Sequence, residues 1–336
     1  MQNLLDPAIL FFVFGAIAGS LKSNLEIPPA ISRFLSLYLL MALGLKGGFA
    51  LSRSGLTQEV AASLACAVAL AIIIPLLGYF LLKRFLNGFD AAAVAATYGS
   101  VSAVTFVTAV QYLDNHGIAY GGHMAAAMAL MESPAIIMAV LLANTLRQQS
   151  LAPVVLQSGS GVAVLAGNSE HRPVPLKKIL HESFTDGAQL LLLGAMLIGL
   201  LSGETGQAAM QPFSGDLFKG MLAFFLLDMG LMTARNANQL KGMSVGLVLY
   251  AVVAPLLHAG LALCLALLAG LGRGDATLLM VLAASASYIA VPAVLRTALP
   301  EAKPSLYFGM SLGITFPLNL LIGIPLYAGV AEIYFL

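Results

Sequence analysis

The sequence predicts an all-α integral membrane protein of ten transmembrane helices, arranged as two inverted five-helix repeats whose fourth and ninth helices are interrupted and cross. Three observations predict it. Of 336 residues, 60% are hydrophobic and 9% charged, where a soluble protein carries roughly a quarter charged residues. The apolar residues fall in runs of about twenty, the length that crosses a hydrocarbon core. These runs are too long and continuous for the alternating ten-residue strands of a membrane barrel. The second half of the chain also repeats the first, with Asp90 falling on Asp275.

The runs place spans near 7–21, 30–51, 59–82, 91–113 and 120–146, and again near 183–201, 215–236, 242–271, 275–297 and 304–332. The first run lacks the basic stretch that precedes a cleaved signal and carries Asp6 there instead, so it reads as a span. Residues 148–182 are rich in Ser, Gly and Pro, show no helical period and are expected to form a mobile linker. The chain then divides into 1–147, a first repeat; 148–182, the linker; and 183–336, a second repeat. Cys66 and Cys264 both lie in apolar runs and read as small packing residues, not as a disulfide or metal framework.

Orientation follows from Lys and Arg on alternate loops. Twelve (Lys22, Arg33, Lys83, Arg84, Arg147, Arg172, Lys177, Lys178, Arg235, Lys241, Arg296 and Lys303) fall on one side, and three (Arg53, Lys219 and Arg273) on the other. The first side is then cytoplasmic, with the linker, and both termini face outward from a bacterial inner membrane.

The repeat is carried by DAAAVAATYGSVSAVTFV from Asp90 over DATLLMVLAASASYIAVP from Asp275, which sets Ser100 on Ser285 and Ser102 on Ser287. Gly44-Leu45 falls on Gly230-Leu231, and Pro134 on Pro317. Units of five spans, an odd number, must sit upside down relative to each other. That is the plan of secondary transporters, which bind substrate where interrupted helices of the two halves meet.

In the fourth span, Gly99 weakens the helix beside Ser100 and Ser102, whose hydroxyls can cap freed backbone groups. In the ninth, Ser285-Ala286-Ser287-Tyr288 precedes Pro292, which suits the first turn of a restarted helix. Each restart aims free N–H groups and a partial positive charge at the midplane. Two such ends make a site for a small anion, with Gly99, Ser100, Ser102, Ala103, Ser285, Ala286, Ser287 and Tyr288 as its substrate-binding set. The alternative is that these small residues only allow close helix packing and bond back to their own carbonyls.

Ionisable groups inside spans cost roughly 2.5 to 3.5 kcal/mol or more at the bilayer centre, so Lys46, Glu132 and Asp228 are functional candidates. Glu132 lies just before Pro134, where exposed carbonyls and a carboxylate suit a small hard cation such as sodium. Its repeat mate Thr315 is another oxygen donor. Glu132 can equally be a buried acid bonded to a neighbouring helix. Lys46 and Asp228 occupy repeat-related spans and are expected to form an intramembrane ion pair, structural before it is functional. His123 and His258 read as packing histidines, with no metal-ligand spacing between them.

A net charge of +1 with scattered Lys and Arg gives no basic face for nucleic acid. No Gly-rich phosphate loop, HExxH pair or GxSxG elbow points to an enzyme.

Several segments together resemble the sodium-dependent bicarbonate permeases of the cyanobacterial carbon-concentrating system and their bacterial relatives. They are ALGLKGGFAL, YGSVSAVTF, MESPAI, LHESF, VVAPLLHA and ASASYIAVPAVLRTALPEAKPS, and they span nearly the whole chain. The resemblance implies ten spans in inverted repeats, a homotrimer, and inward cotransport of sodium and bicarbonate with no other cofactor. It implies Ser100, Ser102, Ser285 and Ser287 around the anion, with Glu132 and Thr105 near sodium. The sodium set is then Ser102, Thr105, Glu132, Ser287 and Thr315. It also implies a small PII-like regulator at the cytoplasmic face, although the linker from Arg147 to Lys178 is short. The best-known members of that family have Asp where this chain has Glu132 and Tyr288, so the substrate and ion stoichiometry can differ here. The expectation is a sodium-coupled importer of a small monovalent anion, bicarbonate first. A symporter for another small carboxylate or inorganic anion, and an anion channel, are the alternatives.

Overall fold

The computed structural model describes residues 5–55, 57–150, 154–158, 161–165, 187–240 and 242–335. Helix starts follow local capping chemistry. Asp6 caps α1 (Pro7–Ser20) by accepting from the Ala8 N–H, and Pro7 supplies its first residue. Pro29 opens α2 (Pro29–Ser54), which ends at Gly55 with φ of 70°. Thr57 caps α3 (Gln58–Leu82) through the Val60 N–H. Asn87 caps α4 (Gly88–Gly99), and Ser102 caps α5 (Ala103–Asn115). The first half closes with α6 (Met124–Ser150).

In the second half come α7 (Gly187–Met210), α8 (Phe218–Asn236), α9 (Val245–Ala269), α10 (Arg273–Ala284), α11 (Ala290–Ala298) and α12 (Pro304–Tyr334). Two stretches of α12, Ser311–Thr315 and Asn319–Gly323, widen into π-helix.

Among the described residues, seven helical segments are long and apolar enough to cross a membrane, and Pro7–Ser20 is a shorter apolar helix. One of the seven, Gly187–Asn236, runs for 50 residues. A straight rod of that length would reach about 75 Å, more than twice a hydrocarbon core. It is broken twice, where Gly203 takes φ of 56° and where Gln211–Asp216 forms a π-turn between α7 and α8.

The helices form two packed groups. In one, α1 lies along α8 and α2 along α7. Glycines let these backbones meet, as small residues do in membranes where apolar side chains gain nothing by leaving lipid. A Cβ on Gly199 would sit 2.6 Å from the Leu45 carbonyl, and Gly44 and Gly48 face α7 in the same way. Gly15 and Gly230 do the same between α1 and α8. In the other group α3 packs on α4 and α6, and α9 on α10, around the interrupted helices. In the most apolar 18-residue stretch of Gly88–Asn115, 94% of the residues are buried, against 33% in that of Val245–Ala269. Its broken backbone is therefore enclosed by protein and shielded from lipid, a condition under which a membrane tolerates such a break.

Two short strands are described within the stretch expected to form the linker. Val154–Ser158 pairs antiparallel with Gly161–Leu165, Ser158 opposite Gly161. The β-branched runs VVLQS and GVAVL, separated by Gly159-Ser160, carry the sequence of a tight hairpin. Arg172, Lys177, Lys178 and the LHESF segment lie outside the described residues. Both cysteines are free thiols.

Candidate functional site

The segment Gly88–Asn115 breaks where Gly99 predicts. The helix α4 ends at Gly99, Ser100 turns extended with φ of −100° and ψ of 179°, and α5 restarts at Ala103. Only glycine fits there, because a Cβ at Gly99 would lie 2.5 Å from the Pro75 ring on α3. Ser102 Oγ accepts from the Thr105 N–H at 3.2 Å and from the Thr105 hydroxyl at 3.0 Å. The backbone also breaks at the repeat-matched place between α10 and α11, and Ser287 Oγ accepts from the Val291 N–H at 3.2 Å.

The two breaks are tied to each other. The Ser102 N–H donates to Ser285 Oγ at 3.0 Å, and the Ser287 N–H donates to the Thr97 carbonyl at 2.8 Å. Each half-helix thus satisfies a backbone group freed by the break in the other. Ser100 Oγ is buried in the crossing without a hydrogen-bond partner. A second matched pair anchors the outer ends of the broken spans. Asp90 accepts from the Lys303 N–H at 2.7 Å, and Asp275 from the Gly121 N–H at 2.6 Å.

Beside the crossing lies a cavity of about 60 Å³. Its wall includes Ser102, Ala103, Glu132, Ser287 and Tyr288, with Ile289 and Ala290 at the start of α11. It is far smaller than the several hundred Å³ of an ordinary organic-ligand pocket and holds a few waters or one small polyatomic ion. Glu132 accepts from Gln189 Nε2 at 2.8 Å, which joins α6 to α7 across the cavity. The Tyr288 hydroxyl reaches Met229 Sδ at 3.8 Å, and its ring packs on Phe316 at 5.1 Å between centroids.

The structure therefore brings Ser102, Ala103, Glu132, Ser287 and Tyr288 to one cavity, with Thr105 bonded to Ser102. Gly99, Ser100, Ser285 and Ala286 belong to the crossing behind it and are absent from its wall. Thr315 is turned elsewhere. Its hydroxyl meets Tyr98 Oη at 2.6 Å and donates to the Ala251 carbonyl at 2.8 Å, so it takes no part in lining the cavity.

The expected Lys46–Asp228 pair does not form. Lys46 Nζ lies 3.4 Å from Asp114 Oδ2 and 4.2 Å from the centre of the Phe218 ring. Phe218 opens α8, and Asp228 stands ten residues further along that helix, about 15 Å away at 1.5 Å per residue. Asp228 instead neighbours Ser32 and Arg235. His123 is also not a simple packing residue, since its Nε2 lies 3.4 Å from Asp275 Oδ2.

Lys46 and Asp114 line a larger vestibule of about 700 Å³, with Arg53, Asp216 and Lys219. Tyr120 in its wall donates to Asp114 Oδ1 at 3.0 Å, and burial holds this phenol protonated well above its ordinary range. Leu43, Phe106 and Met124 line the vestibule, while Leu40, Val104 and Met128 line the small cavity. All six are buried, an apolar partition between the two spaces.

Gln189 and Met229 are contacts that sequence reading misses. Both sit on apolar helices with no repeat match to draw attention, although an intramembrane Gln is itself a signal of a polar partner.

Residues 7–332 match the model of the Na+-dependent bicarbonate transporter superfamily. No curated protein matches the chain. The chain belongs to the Na+-dependent bicarbonate transporter superfamily and is a multi-pass membrane protein.

Proposed function

We propose that this superfamily member is a sodium-coupled importer of bicarbonate, built as a carrier and not as an enzyme. The single observation that carries the reading is the small cavity where the capped starts of α5 and α11 meet the Glu132 carboxylate. Helix N-termini offer unpaired N–H groups and partial positive charge to an anion, and the carboxylate offers oxygen to a cation. Bicarbonate alone or sodium alone would lose its hydration at a cost of several kcal/mol, which a co-bound pair partly offsets. Neither ion then crosses without the other. Ser102 and Ser287 face the anion in this reading, with Ser100 and Ser285 in the crossing behind them, and Ser102, Thr105, Glu132 and Ser287 supply sodium oxygens. Sodium is the coupling ion and no other cofactor is needed.

The same reading takes the chain as ten spans in two inverted repeats, residues 1–147 and 183–336. Reciprocal packing supports it. The first span packs on the seventh, α1 on α8, and the second on the sixth, α2 on α7. The paired aspartates Asp90 and Asp275 make equivalent bonds at opposite ends. The carrier sits in the inner membrane as a homotrimer, with both termini outside and the linker, where a PII-like regulator would bind, in the cytoplasm. Tyr288 favours a second reading in which the solute is another small carboxylate or inorganic anion, because a phenol in place of a carboxylate changes the charge of the site.

Uptake of labelled bicarbonate into proteoliposomes, with sodium and with choline outside, tests the reading. Uptake with sodium only, lost in a Ser102→Ala, Ser287→Ala variant, is the expected result. Equal uptake in both salts overturns sodium coupling, and non-saturating currents without sodium establish a channel.

A further inference from the structure

The two broken helices are not finished alike. At the end of α4 the carbonyl of Thr97 is taken by the Ser287 N–H from the other half, and Gly99 lies on the apolar Pro75 ring. At the end of α10, side chains hold the last carbonyls. Asn319 Nδ2 donates to the Ala284 carbonyl at 2.7 Å, the Ser285 hydroxyl donates to that of Leu282 at 2.8 Å, and His258 hydrogen-bonds that of Ala283.

Asn319 is itself fixed. It is buried, and its Oδ1 accepts from the Tyr327 hydroxyl at 2.9 Å. That bond orients the amide so that its N–H₂ faces Ala284. Space for the pair comes from Gly323, where a Cβ would lie 2.6 Å from Asn319 Oδ1 and 3.1 Å from Tyr327 Oη. The stretch Asn319–Gly323 is one of the two π-segments of α12, an irregularity common at functional sites.

Resting on the anion-site reading above, we infer that Asn319 and Tyr327 are positioning residues for that site. They hold the end of α10 at Ala284 so that the next residue, Ser285, presents its Oγ to the Ser102 N–H, which in turn sets the start of α5. The second-half break is the fixed member of the crossing, and the first-half break is registered against it.

The test is uptake kinetics of the full chain in proteoliposomes, with melting temperature measured beside them. Asn319→Leu leaves a buried carbonyl unpaired and is expected to raise the KM for bicarbonate about tenfold or more with Vmax within about twofold. Tyr327→Phe, which keeps the ring, is expected to raise KM about threefold. Because Tyr327 acts through Asn319, the double variant is expected to be no worse than Asn319→Leu alone. Additive effects, or a lowered melting temperature with wild-type KM, overturn the positioning role. The variants are read with whichever of bicarbonate, formate, nitrate or acetate the wild type accumulates. Wild-type failure with bicarbonate alone therefore refutes the substrate and not the positioning pair, and failure with all four refutes both.

Discussion

Replacing Gly99 by alanine adds one methyl group where the structure leaves no room for it. That Cβ would sit 2.5 Å from Pro75 Cβ and Cγ and 2.6 Å from Cδ, whereas carbon atoms rest at about 3.5 to 4.0 Å. The end of α4 must therefore yield by about 1 to 1.5 Å, since a proline ring has no rotamer by which to swing clear. Such a shift carries both cross-ties, Ser287 N–H to Thr97 at 2.8 Å and Ser102 N–H to Ser285 at 3.0 Å, beyond hydrogen-bonding distance. Two hydrogen bonds at about 1 kcal/mol each come to about 2 kcal/mol. If that loss falls on the binding-competent geometry, apparent affinity drops about 30-fold. The assay is concentration-dependent bicarbonate uptake at matched protein density, with Gly194→Ala as the control because nothing lies within 4 Å of its Cβ. A Gly99→Ala carrier with wild-type KM and melting temperature would refute the claim that the crossing depends on this contact.

Removing the charge of Glu132 as Glu132→Gln is expected to raise the half-saturating sodium concentration at least 100-fold. Two unit charges about 4 Å apart at an effective dielectric near 20 interact by about 4 kcal/mol. Glu132→Asp retains most of the sodium dependence, and unchanged sodium dependence in the glutamine variant would remove Glu132 from the cation site. In the other helix group, Gly48→Ala drives a Cβ onto the Met196 carbonyl and to 2.7 Å from the Leu200 nitrogen. It is expected to cost about 1 to 3 kcal/mol, read as a lower melting temperature in detergent. No change there would mean that α2 and α7 are not held by this seam.

The helices and both breaks are legible in the sequence because each has a local cause. Runs of apolar residues set the spans, and Gly99 and the serine pairs mark where the backbone lets go. The common repeat offset places Ser102 with Ser287, and the structure sets both in one cavity. Pairings across the fold are another matter. Lys46 and Asp228 share a repeat relation, but repeat position says nothing about which way α2 and α8 face each other. The partner of Lys46 is Asp114, at the far end of α5. Thr315 fails in a similar way. Being the repeat mate of Glu132 predicts a matching depth, whereas its hydroxyl is claimed by Tyr98 and Ala251. Asn319 has no repeat signal, and its role depends on a hydrogen bond 35 residues away in the chain.

The division of the cavity wall bears on how an ion can pass. Ser102, Glu132, Ser287 and Tyr288 come from the helices of the interrupted group, which the cross-ties and the aspartate anchors bind into one unit. Ser36, Leu40, Gln189 and Leu192, on the facing side, come from α2 and α7, whose backbones are locked together by glycines. Breaking the cross-ties during transport would expose freed backbone groups within the membrane, at several kcal/mol each. Between the two groups, by contrast, the contacts near the cavity are the apolar partition, the Glu132–Gln189 bond and the long Tyr288–Met229 contact, with the partly exposed Lys46–Asp114 pair on the vestibule side. The lower-cost movement is therefore displacement of one intact unit against the other, parting Leu43 from Phe106 and Met124 so that the vestibule joins the cavity. Glu132, which bridges the two groups and lines the cavity, would in the proposed carrier make that movement depend on the cation.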